Sequence, residues 1–212
     1  MAGSVPSAER TPVSPRLPAA RRRRQLLDVA LAAFAEHGFH ETSMNDVAEA
    51  AGVTKPVLYQ HFRSKRELFG ELLADVGREV QDAITKAVAA ADTSHEMVDL
   101  GFAAFFHYVD EHRDAFRLFW AQGFGRDDEF VALVKQVEDT LAELVAGFIE
   151  IEGLDPGQRR LLGHGIVGMI HGASAHWLTT PGGTDPGDVA AQLADLAWRG
   201  LRGVHPADEL RP

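Results

Sequence analysis

The chain contains no cysteine in its 212 residues. Disulfides, thiolate metal sites and cysteine nucleophiles are thereby excluded, and a cytoplasmic location is the compatible expectation. No apolar run approaches the roughly 18 residues that a membrane span needs, so no membrane partner is expected. Arginines stand near the N-terminus without an apolar stretch behind them, so a secretory signal is not expected either. Strand-like alternation is missing over any useful length. G-x-S-x-G, P-loop and H-E-x-x-H motifs are all absent, so no catalytic residue is assigned and no enzyme is expected.

What is present is charge of two signs, unevenly placed. The net charge of −10 suits a nucleic-acid binder poorly. Residues 1–70, however, carry ten Lys/Arg against seven Asp/Glu, and residues 71–212 carry eleven against twenty-four. The positive charge is concentrated at one end, with Arg21, Arg22, Arg23 and Arg24 in a row. A small basic region can meet phosphates while an acidic body keeps the protein dissolved.

The periodicity is helical throughout, and nine helices are predicted. Residues 1–20 hold four prolines and few large apolar residues, which predicts a disordered, mildly basic tail. Leu27, Ala30, Leu31 and Phe34 form one stripe of a first helix over 21–37, ended by Gly38. Two short helices over 43–50 and 55–62 follow, turned at Gly52. Ser43-x-x-Asp46 resembles a capping box, Thr54 is the expected N-cap of the second, and Pro56 falls in its first turn. Ser64-x-x-Glu67 and Thr93-x-x-Glu96 are expected capping boxes for long helices. A helix is predicted from 127 to 153. Asp155-Pro156 and Asp185-Pro186 open the last two, over 156–179 and 186–203.

The stretch 42–65 is the informative one. Ala48 is small where one short helix crosses another, Gly52 supplies a positive φ, and Val47, Ala51, Val53, Leu58 and Phe62 form a buried side. This is the helix-turn-helix pattern, whose second helix enters the major groove of DNA. The opposite side presents Lys55, Val57, Tyr59, Gln60 and His61, which combine donors, an aromatic hydroxyl and an apolar contact for a thymine methyl.

Over residues 21–69 the sequence resembles the TetR family of transcriptional regulators. The resemblance rests on Gly38-Phe39, Thr42-Ser43, Asp46-Val47-Ala48, Ala51-Gly52-Val53 and Tyr59-x-His61-Phe62-x-x-Lys65-x-x-Leu68. Many members carry Ser-x-Gly where this chain has Thr54-Lys55-Pro56. The resemblance implies an all-α fold: a three-helix head over 21–66 and a six-helix ligand-binding and dimerisation domain over 67–204, with a short tail over 205–212. It implies phosphate contacts from Thr42 and Ser43, with backbone N–H groups nearby favouring an anion. Asn45 would face a base edge. Thr54, Lys55, Pro56 and Val57 would lead the recognition helix. Tyr59, His61 and Lys65 would clamp phosphates, and Gln60 would read adenine or touch the backbone. Arg21, Arg22, Arg23 and Arg24 would reach phosphates or the minor groove. The plainer alternatives are that Tyr59 and His61 pack, and that the arginine run is a solvated helix start.

Eight of the seventeen aromatics lie between 102 and 124, which marks the densest apolar material outside the head. Val98, Phe102, Phe105 and Val109 share a stripe that Phe106 and Tyr108 widen, so this helix is expected to be buried on most sides. By the resemblance, a cavity for a small hydrophobic or amphipathic ligand is expected here. Phe102, Phe105, Phe106, Phe116, Phe119, Trp120 and His171 are its candidate lining, with plain core packing as the alternative. No cofactor beyond an unidentified small-molecule effector is expected. His107, His112, His164, His171 and His176 lack metal-ligand spacing, so no metal is assigned.

Gly163-His-Gly-Ile-Val-Gly168 matches G-x-G-x-x-G but has no strand before it, so it is not read as a dinucleotide fingerprint. Small residues on one helix face instead permit a close helix approach. By the resemblance, Gly168, Gly172, Ala175, Trp177, Leu193, Leu196 and Trp198 would form half of a two-fold interface. Such a homodimer would read a near-palindromic double-stranded operator at half-sites about 34–36 Å apart. Its ligand would tilt the long fourth helix to release DNA. The rival readings are an all-helical enzyme, a sequence-indifferent architectural DNA binder, and an activator of the same fold.

Overall fold

The computed structural model describes residues 18–121, 128–180 and 182–205; the side chains of 119–121, 128 and 129 fall outside that description. The expected tails, apart from 18–20 and 205, also lie outside the described residues, as do the side chains of Phe119 and Trp120. The described residues form nine α-helices and no strand: α1 (Ala19–His37), α2 (Met44–Ala50), α3 (Lys55–His61), α4 (Lys65–Val88), α5 (Ser94–Glu111), α6 (Arg113–Ala121), α7 (Asp128–Phe148), α8 (Pro156–Thr179) and α9 (Pro186–Arg202).

Local chemistry sets most boundaries. The Ser43 hydroxyl accepts from the Asp46 N–H, and the Asp46 carboxylate accepts from the Ser43 N–H, which closes the expected box at α2. Those bonds from Ser43 hold the Asp46 carboxyl below its usual range. Asp155 and Gln158 close a second box at α8. At α4 and α5 the expectation needs correcting. Ser64 and Thr93 do cap, but Glu67 and Glu96 reach one residue further back, to the N–H groups of Arg63 and Asp92. Thr54 is the N-cap of α3 by backbone conformation and makes no side-chain cap bond. α7 stops at Phe148, five residues short of the predicted end, and Gly153 takes its positive φ of 83° in the turn that follows.

One continuous apolar core runs through the molecule. In the head, Leu26, Phe34, Val47, Leu58 and Phe62 are fully or almost fully buried. α4 carries the core onward. Phe69 packs edge-on against Phe34, while Val76, Val80 and Ile84 lie among α5, α7 and α8. Close contact between helices depends on two glycines. A Cβ at Gly77 of α4 would stand 2.8 Å from Val137 Cγ1 of α7. A Cβ at Gly163 of α8 would stand 2.4 Å from the Ala142 carbonyl oxygen of α7. The G-x-G-x-x-G match therefore lies inside a helix, with its first glycine serving helix packing.

A polar strut also joins head and body. Arg24 of α1 pairs with Asp28, with Asp75 at 2.6 Å and with Glu79 at 2.6 Å. The Tyr108 hydroxyl of α5 donates to Glu79 at 2.6 Å. Burial alone would raise the Glu79 carboxyl, but the bonds from Tyr108 and Arg24 together hold it below the usual range. Burial, reinforced by Glu79, pushes the Tyr108 phenol well up.

Candidate nucleic-acid interface and effector cavity

The helix-turn-helix is built from a buried side that fixes its angle and an open side that is left to do chemistry. Ala48 is 2% exposed where α2 meets α3, and Gly52 turns the chain with φ 64°. Leu58 and Phe62 anchor α3 from below. Thr54, Lys55, Pro56 and Gln60 are exposed, Tyr59 is 41% exposed, and Val57 and His61 are half-buried. Lys55 Nζ lies 5.9 Å from the Tyr59 ring centroid, so the two side chains share one edge. Ser43 and Asn45 are exposed at the start of α2.

Four of the expected DNA contacts are corrected by this geometry. Thr42 is only 2% exposed, and its hydroxyl donates to the Gly38 carbonyl at 2.8 Å, which ties the turn to the end of α1. Lys65 points inward. Its ammonium donates to the carbonyls of Phe39 at 2.6 Å, His40 at 3.1 Å and Thr42 at 2.7 Å, and lies 4.4 Å from the Phe39 ring centroid. Burial lowers the Lys65 ammonium from its ordinary value, against the pull of Glu41 and Asp46. Arg23 pairs with Glu71 and lies over the Phe62 ring, and Arg24 belongs to the strut described above. Arg21 and Arg24 are exposed and half-buried Arg22 reaches Gln25, but the guanidinium groups of Arg23 and Arg24 are already held by carboxylates. Sequence spacing could not reveal Glu71, Asp75 and Glu79, because they lie about fifty residues away on α4; Asp28 alone is a local partner.

The Lys65 geometry has a measurable consequence. Lys65→Met keeps the stem and removes the donors. It is expected to lower unfolding stability by about 1–3 kcal/mol, because an ionised donor to three carbonyls is lost. The salt dependence of DNA binding should not change, whereas loss of a phosphate clamp would reduce the slope by about one. Denaturant melts and affinity titrations across salt concentrations separate the two outcomes.

The body holds two partly open cavities. The first, of about 70 Å³, lies among α4, α5, α6, α7 and α8, with Val76, Val80, Phe105, Phe116, Val134, Val137 and Leu141 on its wall. Glu138 and His171, hydrogen-bonded to each other, also belong to the lining, whose exposed surface is almost wholly apolar. The second, of about 260 Å³, is lined by Met97, Val98, Gly101, Phe102, Phe148, Ile166, Trp198, Leu201 and Arg202. Ile84, Val145 and Ile170 belong to both, so the cavities share a wall.

Of the expected lining, Phe105, Phe116 and His171 reach the first cavity and Phe102 reaches the second. Phe106 lines neither. It is fully buried and packs edge-on against Trp177. Trp177 is itself corrected from interface to core, since it is 5% exposed, donates to the Thr184 carbonyl and lies beneath the Arg113 guanidinium. Trp198 is half-buried and also lines the second cavity, beside His95 and Arg202. α9 also contributes Ala197, Trp198, Leu201 and Arg202 to the second cavity, which no pattern within α9 reveals because its partner helix, α5, is distant in the chain. Gly168, Gly172 and Leu196 are exposed, and Ala175 and Leu193 are half-covered.

Two of the five histidines, His164 and His171, do meet carboxylates, because α7 brings Glu138 to His171 and Asp139 to within 3.9 Å of His164. No group of three such ligands forms among the described residues.

Comparison with known proteins agrees with this geometry. Residues 26–72 match the tetR family of bacterial regulatory proteins, and residues 94–200 match a tetracyclin repressor-like C-terminal domain. The HTH-type transcriptional activator FasR of Mycolicibacterium smegmatis is 28% identical over 190 residues, covering 89% of this chain and 87% of FasR. A TetR-like transcriptional regulator from Rhodococcus sp. RHA1 superposes with a TM-score of 0.69 at 31% identity, covering 89% of this chain and all of that one. At the level of fold alone, FadR of Bacillus subtilis in complex with stearoyl-CoA superposes with a TM-score of 0.73 at 18% identity, covering 86% and 99%. The open edge of α3, the body packed behind it and these matches together make the chain a member of the TetR family of transcriptional regulators.

Proposed function

We propose that the protein is a ligand-released repressor that binds a near-palindromic operator as a homodimer. The observation that carries this reading is the position of α4. Its first turns belong to the core of the head, and its later turns line both cavities. A molecule lodged beside α4 therefore acts on the element that holds the DNA-reading edge, and it releases DNA if it favours the wrong head spacing. The head spans 21–66 and the body 67–204. The DNA-contact set is Arg21, Arg22, Ser43, Asn45, Thr54, Lys55, Pro56, Val57, Tyr59, Gln60 and His61. The effector is a small apolar or amphipathic molecule, in keeping with the two apolar cavities and with the stearoyl-CoA held by the FadR neighbour. The partner across the dimer is a second copy of this chain, met through the outer faces of α8 and α9.

Selection of bound fragments from the source genome identifies the operator. On that operator Lys55→Ala is expected to cost about 5–150-fold in affinity, the span of one good polar base contact. Tyr59→Phe should lose a smaller factor at every operator sequence, because a phosphate contact carries no sequence information. Unchanged affinity and specificity in both variants would remove the assigned edge. Stearoyl-CoA is the first effector probe, and it should weaken operator binding. Activation is the second reading, favoured by the name of the FasR relative. Transcription from an operator-bearing promoter with and without the protein decides the sign.

A further inference from the structure

α7 connects the first cavity to the head by a route that does not pass along α4. Phe130, Val134, Val137 and Leu141 recur at i, i+4, i+7 and i+11, so they lie on one face of one helix. The last three line the cavity. Phe130 is 1% exposed and packs edge-on against Phe39 at 4.7 Å and Phe69 at 4.9 Å, with the Arg66 guanidinium 5.4 Å from its ring. Phe39 belongs to the turn between α1 and α2. The carbonyls of Phe39, His40 and Thr42 in that turn hold Lys65, and the turn leads directly into the Ser43 cap of α2.

The first cavity is also narrow where α4 and α7 form its wall. Its volume is about 70 Å³, and α4 and α7 already meet at Gly77 and Val137 with no room for a Cβ. A ligand group that enters between Gly77 and Val137 must part these two helices. A well-packed interior transmits such a shift instead of absorbing it. A helix of 21 residues is about 30 Å long and moves as a unit.

We infer that Phe130 is the positioning residue through which α7 reports occupancy of the cavity to the DNA-reading head, by displacing Phe39 and the turn that starts α2. This rests on the reading that the head binds an operator. It adds a second lever to α4.

The test needs no effector. Gly77→Val drives α7 from α4 by steric force alone and is expected to weaken binding to the selected operator fragment about tenfold, within the usual range of coupling between sites. Phe130→Ala cuts the lever, so Gly77→Val/Phe130→Ala should bind within about threefold of Phe130→Ala alone, a coupling outside ordinary additivity. General destabilisation cannot produce such a rescue. A double variant as weak as the product of the single effects overturns the inference, and so does a folded Gly77→Val with normal affinity. If Gly77→Val does not fold, Gly77→Ala replaces it, because its one methyl already meets Val137. The chain has no cysteine, so Gln60→Cys gives a single spin-label site on each head. The inter-head distance should shift in Gly77→Val and return in the double variant, which reads the lever without DNA. Failure of the wild type to bind any fragment would count against the operator reading, and failure of the rescue against the lever.

Discussion

Aspartates placed together at Leu161 and Leu196 are expected to yield a monomer and to weaken operator binding by about 10²–10⁴-fold, the factor lost when two linked binding events become one. Leu161 is 72% exposed and Leu196 is 58% exposed, unusual for large apolar side chains. On α8 the exposed positions Leu161, Gly165, Gly168 and Gly172 follow helical spacing, and a Cβ at any of the three glycines would meet nothing within 4 Å. That face is smooth, apolar and open, which suits a second helix pressed against it. A two-fold axis repeats each aspartate, so the double variant buries four charges without partners. Sedimentation gives the mass and titration gives the affinity, while helical content by circular dichroism should stay unchanged because both sites are exposed. A dimer that persists in the double variant would move the interface elsewhere.

Gly163→Ala and Gly147→Ala are expected to act in opposite directions, although both exchange a helical glycine for the best helix former. At Gly163 the new methyl would lie 2.4 Å from the Ala142 carbonyl oxygen and 3.2 Å from the Ala146 nitrogen. Both are backbone atoms of α7, so no side-chain rotation relieves the clash and the helices must separate. Overpacking of this kind costs about 1–3 kcal/mol. The corresponding loss in melting temperature is roughly 2–4 °C per kcal/mol for a chain of this size. Gly147 is exposed on α7 with nothing within 4 Å of its missing Cβ. There the lower backbone entropy of alanine should stabilise by up to about 1 kcal/mol. Thermal melts of the two variants provide the check. Equal shifts would mean that α7 and α8 do not approach as closely as Gly163 requires.

The all-helical class and the helix-turn-helix were legible because their signals are local. The Ser43–Asp46 box, the positive φ of Gly52 and the spacing of Leu58 and Phe62 each operate within one or two helical turns. Capping at Ser64 and Thr93 was also legible, but the reach of Glu67 and Glu96 was not. A glutamate has enough length to choose between two neighbouring N–H groups. Lys65 shows the limit most clearly. Its place in the motif suggested an outward cation, yet its stem is long enough to fold back to three carbonyls more than twenty residues away.

The sequence by itself determined which segments are helical, which end of the chain carries the cationic surplus, and which edge of α3 must stay outside because the other is apolar. Tertiary structure alone decided which arginines remain available, since Glu71, Asp75 and Glu79 reach Arg23 and Arg24 from another helix. It likewise decided that Trp177 packs inside while Trp198 faces a cavity, and that Phe130 joins the head. Periodicity shows that a helix has an apolar face. What that face meets is set by contacts between residues distant in the chain, and no local pattern encodes those partners.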